Sequence, residues 1–82
     1  MSLKVTTMYG ADWCPDCLRA KAVLERLSVN YKYETADDGR TKALEISGRK
    51  NIPCIQFPDG SFLTEPNDTT LESKIKELKL SS

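Results

Sequence analysis

The amino-acid sequence predicts a small α/β domain in which a strand, a helix and a strand are followed by two strands and a helix. Segments of strand length, either rich in β-branched and aromatic residues or alternating in polarity, are separated by segments with the three- and four-residue apolar spacing of helices. A Pro-Asp-Gly turn joins the last two strand segments. The length of 82 residues fits one domain, so we expect residues 1–82 to form a single unit.

The composition excludes several classes of function. Hydrophobic residues make up 39% of the chain and charged residues 29%, as in an ordinary folded protein. Twelve basic and twelve acidic residues cancel, which removes the cationic field that nucleic acids and anionic membranes attract. Histidine is absent, so catalytic Cys-His and Ser-His pairs are excluded. We therefore expect no nucleic-acid partner and no membrane partner.

The cysteine content and the lack of long apolar segments indicate a protein of a reducing compartment rather than a secreted one. No segment has the apolar stretch of a signal peptide or of a membrane span, which needs about 20 residues. We expect a cytoplasmic protein and a monomer. The three cysteines are an odd number, which argues against a secreted disulfide scaffold. The sequence therefore favours redox or metal chemistry.

The first half of the chain reads as strand, helix and strand. The first strand is predicted at residues 3–9, which are rich in β-branched and aromatic residues and lead into Gly10. The clearest helix is predicted at residues 15–27, where apolar side chains recur at helical spacing: Cys17, Ala20, Leu24 and Leu27. Residues 29–34 alternate between apolar and polar side chains, as in a strand with one buried face.

A short helix is predicted after the second strand. The segment Asp37-Asp38-Gly39 is expected to end that strand. Residues 40–47 contain good helix formers, and Gly48 is placed as the C-terminal stop of a helix.

The last part of the chain predicts a hairpin and a terminal helix. Residues 55–57 and 61–63 flank residues 58–60, whose Pro-Asp-Gly sequence favours a tight turn. A capping box from Thr69 to Glu72 is expected to begin the last helix. That helix has a one-sided apolar stripe, formed by Leu71, Ile75 and Leu78.

Cys14 and Cys17 are predicted to lie in the first turn of the first helix. If Pro15 is the first helical residue, Cys14 is the N-cap and Cys17 the third helical residue. A sulfur at the N-cap meets backbone N–H groups and the positive end of the helix dipole, so the thiolate is favoured over the thiol. The two sulfurs are also close enough to form a disulfide. We therefore predict that Cys14 faces outward as the nucleophile and that the buried Cys17 completes the disulfide.

Metal binding is an alternative for this pair, because the same spacing occurs in structural zinc sites. Cys54 is the only other thiol in the sequence, so a closed tetrahedral site within one chain would need a carboxylate ligand. Cys54 follows Pro53 on a predicted buried strand, where a cysteine most often serves as a small hydrophobic residue. We expect a redox pair without a bound metal or prosthetic group.

Residues 14–21 (Cys-Pro-Asp-Cys-Leu-Arg-Ala-Lys) resemble the C-P-Y-C motif and following helix of the glutaredoxin family, and Asn51-Ile52-Pro53 resembles its T-V-P segment. The resemblance spans nearly the whole chain. It implies a thioredoxin-like fold with a four-stranded mixed sheet and flanking helices. It also implies a thiol-disulfide oxidoreductase that reduces protein disulfides and mixed disulfides between proteins and small thiols.

The resemblance further implies a substrate site around the cysteines. Pro53 is expected to follow a cis peptide bond and to face the nucleophilic sulfur, while the backbone of Ile52 pairs with the cysteine-containing part of the substrate. Lys50 or Arg49 is expected to bind a substrate carboxylate, with a solvated loop charge as the alternative for both.

Five more residues are candidates for binding a substrate or partner. Trp13 and Pro15 flank the nucleophile. Trp13 and Tyr9 offer an apolar docking surface, with aromatic packing in the core as the alternative. Asp68 and Thr69 lie near the start of the terminal helix, where unpaired backbone N–H groups would bind a carboxylate; capping alone is the alternative.

Two departures from the family pattern concern the chemistry. Asp16 stands where the commonest dithiol motif has Tyr, so a carboxylate beside the sulfur opposes its ionisation. Residues 63–68 stand where glutathione-binding members usually carry a Gly-Gly turn and an acidic residue. Residues 60–64 instead resemble the mycoredoxin branch, which uses mycothiol. The expected cosubstrate is therefore a low-molecular-weight thiol, either glutathione or mycothiol.

Two other functions are alternatives. A redoxin-type electron donor to ribonucleotide reductase would be recharged by thioredoxin reductase, a flavoprotein disulfide reductase, but the usual Ser-Gly-Phe-Arg-Pro segment of such proteins is absent. A metal-binding or iron-sulfur module would hold a cluster with Cys14 from two subunits and two external thiols. The resemblance disfavours this module because of Pro15.

Overall fold

The elements of the structure follow the predicted order. The computed structural model describes residues 5–80, so Leu3 and Lys4 of the predicted first strand lie outside the described residues. The elements are β1 (Thr6–Tyr9), α1 (Pro15–Arg26), β2 (Tyr31–Glu34), a 3₁₀ turn (Ala36–Gly39), α2 (Arg40–Ser47), β3 (Cys54–Gln56), β4 (Phe62–Thr64) and α3 (Asp68–Glu77).

The four strands form one mixed sheet in the order β2-β1-β3-β4. β1 and β2 are parallel, with Met8 opposite Tyr33, and α1 provides the crossover that parallel neighbours need. β3 runs antiparallel to β1, with Ile55 opposite Met8, and antiparallel to β4, with Ile55 opposite Leu63. The four-stranded mixed sheet is therefore confirmed.

The core lies between the two central strands and the helices. Met8 of β1 and Ile55 of β3 are fully buried. α1 contacts α3, and α2 contacts β1, β3 and β4. The predicted apolar stripes of α1 and α3 are largely confirmed. Val23 of α1 is buried as well, whereas Leu27 and Leu78, at the ends of the two helices, are only half-buried. The buried members are Cys17, Ala20, Val23 and Leu24 of α1, and Leu71 and Ile75 of α3.

The end of α1 lies close to the predicted position, and the second strand begins later than predicted. The N–H of Leu27 donates to the carbonyl of Val23 at 3.0 Å, which completes the last turn of the helix. The N–H of Val29 donates to the carbonyl of Leu24 at 2.9 Å. Because this N–H closes the helix, Val29 does not join the sheet, and β2 begins at Tyr31.

The segment between β2 and α2 is a 3₁₀ turn rather than a simple stop. Asp37, Asp38 and Gly39 have φ values of 52°, 54° and 76°. A side chain at position 39 would meet the backbone of Tyr9 and Gly10, so glycine is required at this approach. The predicted bounds of α2 are confirmed, and the N–H of its C-cap Gly48 donates to the carbonyl of Leu44 at 2.9 Å.

The predicted hairpin between β3 and β4 is confirmed, with each strand moved by one residue. The N–H of Phe57 donates to the carbonyl of Ser61 at 2.8 Å, and the N–H of Gly60 donates to the carbonyl of Phe57 at 2.9 Å. Gly60 has a φ of 92°, a conformation that favours glycine in a tight turn.

The start of α3 differs from the prediction. The capping box from Thr69 to Glu72 is wrong, because the N-cap is Asn67, whose side-chain oxygen accepts the N–H of Thr70 at 2.8 Å. Asparagine is a stronger N-cap than threonine, which explains the earlier start. The helix therefore begins at Asp68, and Thr69 is its second residue.

Candidate active site

The two cysteines of the Cys-Pro-Asp-Cys motif lie in the first turn of α1. Cys14 is the N-cap, with φ −89° and ψ 115°, and its sulfur accepts the backbone N–H of Cys17 at 3.4 Å. The N–H of Cys14 donates to the carbonyl of Ala11 at 3.2 Å, which fixes the chain as it enters the helix. Pro15 is the first helical residue, so the predicted helix positions of both cysteines are confirmed.

The exposure of Cys14 differs from the prediction. Only 7% of the residue is accessible to solvent, so the expectation that it faces outward is wrong. Its hydrogen bond explains this burial, because a sulfur that accepts the N–H of Cys17 points back at the helix end. Cys17 and Cys54 are completely buried, and Cys14 is therefore the most accessible of the three thiols.

Cys17 is protonated at neutral pH. Burial raises the pKa of Cys17 from an ordinary 9.0 to about 12, and its hydrogen bond with Cys14 and the nearby negative charges of Cys14 and Asp16 act in the same direction. A backbone hydrogen bond with Ala11 opposes part of this rise. A thiol must lose its proton before it can attack a disulfide, so the raised pKa makes Cys17 a poor nucleophile at neutral pH.

Gly10 makes room for the sulfur of Cys17. A Cβ atom at Gly10 would lie 2.6 Å from Cys17 Sγ and 3.2 Å from Cys17 Cβ. The N–H of Gly10 donates to the carbonyl of Glu34 at 3.1 Å, which continues the pairing of β1 with β2. The end of β1 is therefore pressed against the buried thiol.

Cys54 belongs to the core of the sheet. It is completely buried on β3, opposite Tyr9 and Thr64, and burial raises its pKa. Within residues 5–80, no three His, Cys, Asp or Glu side chains are grouped as metal ligands. The described part of the chain therefore does not bring Cys54 together with Cys14 and Cys17 as a metal site.

Pro53 lies at the same edge of the sheet as the cysteine motif. The Ile52–Pro53 bond is cis, as the resemblance implied, and both residues are buried. The next residue, Cys54, pairs with Tyr9, which leads into the loop before Cys14. The carbonyl of Pro53 accepts the N–H of Glu65 at 2.8 Å, which ties this segment to the end of β4.

Arg40 connects Trp13 with the loop before Pro53. Trp13 is 60% exposed, and the guanidinium carbon of Arg40 lies 5.7 Å from its ring centroid, within cation-π range. Arg40 also donates from Nη1 to the carbonyl of Lys50 at 3.3 Å. A cationic group therefore lies beside the residue that precedes Cys14.

The other predicted substrate residues lie on the surface. Arg49 and Lys50 are exposed in the loop after α2, and Pro15 is exposed at the start of α1. Asp68 and Thr69 are exposed in the first turn of α3. Among the described residues, no hydrogen bond or ion pair joins Asp68 or Thr69 to the cysteine motif.

Two carboxylates lie in or next to the motif, and each has a partner. Asp16 forms an ion pair with Arg19 at 2.9 Å, with both side chains about half exposed. Asp12 accepts a hydrogen bond from the hydroxyl of Tyr33 at 2.8 Å. Lys21 Nζ lies 4.6 Å from the centroid of the Tyr33 ring.

Sequence patterns do not point to Gly10, Asp12, Tyr33 or Arg40 as parts of the site. Tertiary contacts bring these residues together, and such contacts leave no periodic signal. Only Gly10 and Asp12 could have been associated with the site from the sequence, because they lie within four residues of Cys14.

Comparison with known protein families decides which family this architecture represents. Residues 5–63 match the family model described as glutaredoxin, and this segment contains both motif cysteines and Pro53. The chain belongs to the glutaredoxin family. Glutaredoxins are thiol-disulfide oxidoreductases that act on disulfides and need no prosthetic group.

Individual glutaredoxins show the same relationship. Proteins named as glutaredoxins from two strains of Mycobacterium tuberculosis are 29% identical to this chain over 76 residues, which cover 88% of this chain and 90% of each relative. The solution structure of reduced glutaredoxin C1 from Populus tremula x tremuloides matches with a TM-score of 0.62 at 18% sequence identity, covering 92% of this chain and 67% of that one. The thioredoxin-like fold is therefore confirmed.

The helices of this glutaredoxin are those of a small α/β domain. None of the helices described between residues 5 and 80 has the length and apolar content needed to span a membrane.

Proposed function

We propose that this glutaredoxin reduces mixed disulfides between proteins and small thiols, and protein disulfides, through the Cys14–Cys17 pair. The observation that carries the proposal is the N-cap geometry of Cys14, whose sulfur accepts the N–H of Cys17 at 3.4 Å. A negative sulfur at this position gains a charge-assisted hydrogen bond and a favourable interaction with the helix dipole. Cys14 is therefore the nucleophile.

In the first step, the Cys14 thiolate attacks the small-thiol sulfur of the mixed disulfide. A new S–S bond forms between Cys14 and the small thiol, the original S–S bond breaks, and the protein thiolate leaves and takes a proton from water. Electrons balance, because the substrate protein is reduced while Cys14 is oxidised to the mixed disulfide.

Two routes then regenerate Cys14. In the first, a second small thiol attacks the mixed disulfide, releases the Cys14 thiolate and leaves as the small-molecule disulfide. In the second, Cys17 attacks the mixed disulfide, forms the Cys14–Cys17 disulfide and releases the small thiol; two more small thiols then reduce this disulfide and leave as the small-molecule disulfide. The raised pKa of Cys17 supports the first route at neutral pH, because Cys17 must lose its proton to attack.

The cosubstrate is a low-molecular-weight thiol, with glutathione and mycothiol as the two candidates. Arg40 beside Trp13, together with exposed Arg49 and Lys50, supports a thiol that carries carboxylates, such as glutathione. The loop of residues 60–64 resembles that of proteins that use mycothiol, which presents sugar hydroxyls instead.

The remaining substrate contacts are proposed at the same edge of the sheet. The backbone of Ile52, before the cis bond to Pro53, pairs with the cysteine-containing part of the substrate. Exposed Trp13 and Pro15 contact a protein partner beside Cys14. Asp68 and Thr69, in the first turn of α3, bind a substrate carboxylate through backbone N–H groups.

We place this activity in the cytoplasm and in a monomer of one domain spanning residues 1–82. Its partners are disulfide-containing proteins, and a flavoprotein disulfide reductase is an alternative source of electrons. Nucleic acids and membranes are not partners of a chain with balanced charge.

Turnover of a small mixed-disulfide substrate tests the proposal, with glutathione, mycothiol or thioredoxin reductase as the source of electrons. Cys14→Ser should reduce turnover to the level without protein, while Cys17→Ser should retain turnover with the preferred small thiol. The matched control is Cys54→Ala, which removes a buried thiol outside the motif and should leave the activity intact.

Three outcomes would contradict the proposal. Turnover by Cys14→Ser would show that Cys14 is not the nucleophile. Electrons accepted only from thioredoxin reductase would assign the chain to the redoxin-type donors. A brown dimer with bound iron, inactive towards mixed disulfides, would assign it to the iron-sulfur carriers.

A further inference from the structure

The hydroxyl of Tyr33 links β2 to the loop that precedes Cys14. It donates to Asp12 Oδ1 at 2.8 Å, between residues that are 21 positions apart in the sequence. The neighbouring residue of β2, Glu34, accepts the N–H of Gly10 at 3.1 Å. Two successive residues of β2 therefore hold the two ends of the segment Gly10-Ala11-Asp12.

Tyr33 also lies beside the turn of α1 that carries Cys17. Lys21 Nζ is 4.6 Å from the centroid of the Tyr33 ring, and Lys21 follows Cys17 by four residues, on the same face of the helix. Burial raises the pKa of Tyr33, with further contributions from Asp12 and from both motif thiols. The phenol is thus within electrostatic reach of both sulfurs.

We propose that Tyr33 is a positioning residue for Cys14. By holding Asp12, its hydroxyl fixes the loop of residues 10–13, which sets the N-cap geometry of Cys14 through the bond from its N–H to Ala11. Asp12 is exposed, and the Tyr33 hydroxyl is the one hydrogen-bond partner of its side chain among the described residues. This role rests on the proposed function of Cys14 as the nucleophile.

Tyr31 provides a matched control on the same strand. Its hydroxyl donates to Glu25 Oε2 at 2.7 Å, so it also links β2 to an exposed carboxylate. Glu25 lies near the C-terminal end of α1, whereas Cys14 caps the N-terminal end. Tyr31→Phe and Tyr33→Phe therefore remove the same kind of bond at opposite ends of one helix.

The two variants are compared in turnover of the small mixed disulfide and in alkylation by iodoacetamide. Alkylation reports on Cys14, because Cys17 and Cys54 are completely buried. Tyr33→Phe should lower kcat and the alkylation rate about fivefold, the equivalent of about 1 kcal/mol, and leave KM unchanged. Tyr31→Phe should change neither rate.

Variants of Asp12 separate positioning from charge. Asp12→Asn keeps an oxygen that accepts the Tyr33 hydroxyl and should retain the wild-type rates. Asp12→Ala should slow both reactions as much as Tyr33→Phe does. The double variant Tyr33→Phe/Asp12→Ala should be no slower than either Tyr33→Phe or Asp12→Ala alone, because each of these three proteins lacks the same hydrogen bond.

The outcomes separate this proposal from the proposed function. If wild-type protein does not turn over mixed disulfides, the proposed function fails, while the alkylation rates still test the role of Tyr33. Equal slowing in Tyr31→Phe and Tyr33→Phe would show that the lower rates reflect a general loss of stability and not the positioning of Cys14. Unchanged rates in Tyr33→Phe, additive losses in the double variant, or an Asp12→Asn as slow as Asp12→Ala would each overturn the positioning role.

Discussion

Gly10 shows how a single residue shapes the site without taking part in the chemistry. The buried thiol of Cys17 occupies the space in which a side chain of residue 10 would lie. The φ of Gly10 is not in the left-handed region, so the requirement for glycine is steric rather than conformational. A substitution at this position therefore acts directly on Cys17.

We expect Gly10→Ala to lower the free energy of unfolding by about 1–3 kcal/mol, the usual cost of overpacking a core. The new Cβ would lie 2.6 Å from Cys17 Sγ, so one of the two residues must move. Urea unfolding under reducing conditions measures the loss. The same substitution in a Cys17→Ala background should cost less, because the sulfur is gone; an equal cost in both backgrounds would refute the clash.

At the scale of elements, local signals predicted α1 well and α3 less well. Pro15 and Cys14 define the start of α1 through the geometry of the first turn alone. In α3, both Asn67 and Thr69 are acceptable caps in sequence, and the structure selects Asn67. Asparagine is the stronger N-cap of the two, but the Thr-x-x-Glu spacing of a capping box pointed to Thr69 instead.

We expect Asn67→Ala to lower the free energy of unfolding by about 0.5–2 kcal/mol, because Thr70 loses the acceptor of its N–H. Thr69→Ala should cost less than about 0.5 kcal/mol, because residue 69 is exposed and lies inside the helix. Asn67→Asp retains a capping oxygen and should remain close to wild type. Denaturant unfolding of the three variants checks this order, and a larger loss in Thr69→Ala would restore the capping box.

At the scale of the whole molecule, the site forms where several element ends meet at one edge of the sheet. The parallel strands β1 and β2 end at this edge, with Tyr9 opposite Glu34, and β3 begins there at Cys54. The cysteine motif could be predicted because its chemistry is contained in one helical turn. Tyr33 and Arg40 could not, because their roles depend on the register of the sheet and on the placement of α2.

The buried thiols and the two tyrosines of β2 make the free energy of unfolding depend on pH in the alkaline range. Burial raises the pKa of Cys17 from 9.0 to about 12 and that of Tyr31 from 10.0 to about 12, and it also raises the pKa values of Cys54 and Tyr33. Well below pH 9 these groups are protonated in both the folded and the unfolded chain, so they contribute no pH dependence there. Above pH 9 the unfolded chain releases these protons first, which favours unfolding.

We therefore expect the free energy of unfolding of the reduced protein to fall as pH rises from about 9 towards about 12, with each group contributing up to about 1.4 kcal/mol per pH unit. Urea unfolding in reducing buffer, at intervals from neutral pH to about pH 11, measures the slope. Cys17→Ala should be less stable at neutral pH but lose stability less steeply above pH 9, because one titrating group is removed. An identical slope in the two proteins would contradict the protonated, buried state of Cys17.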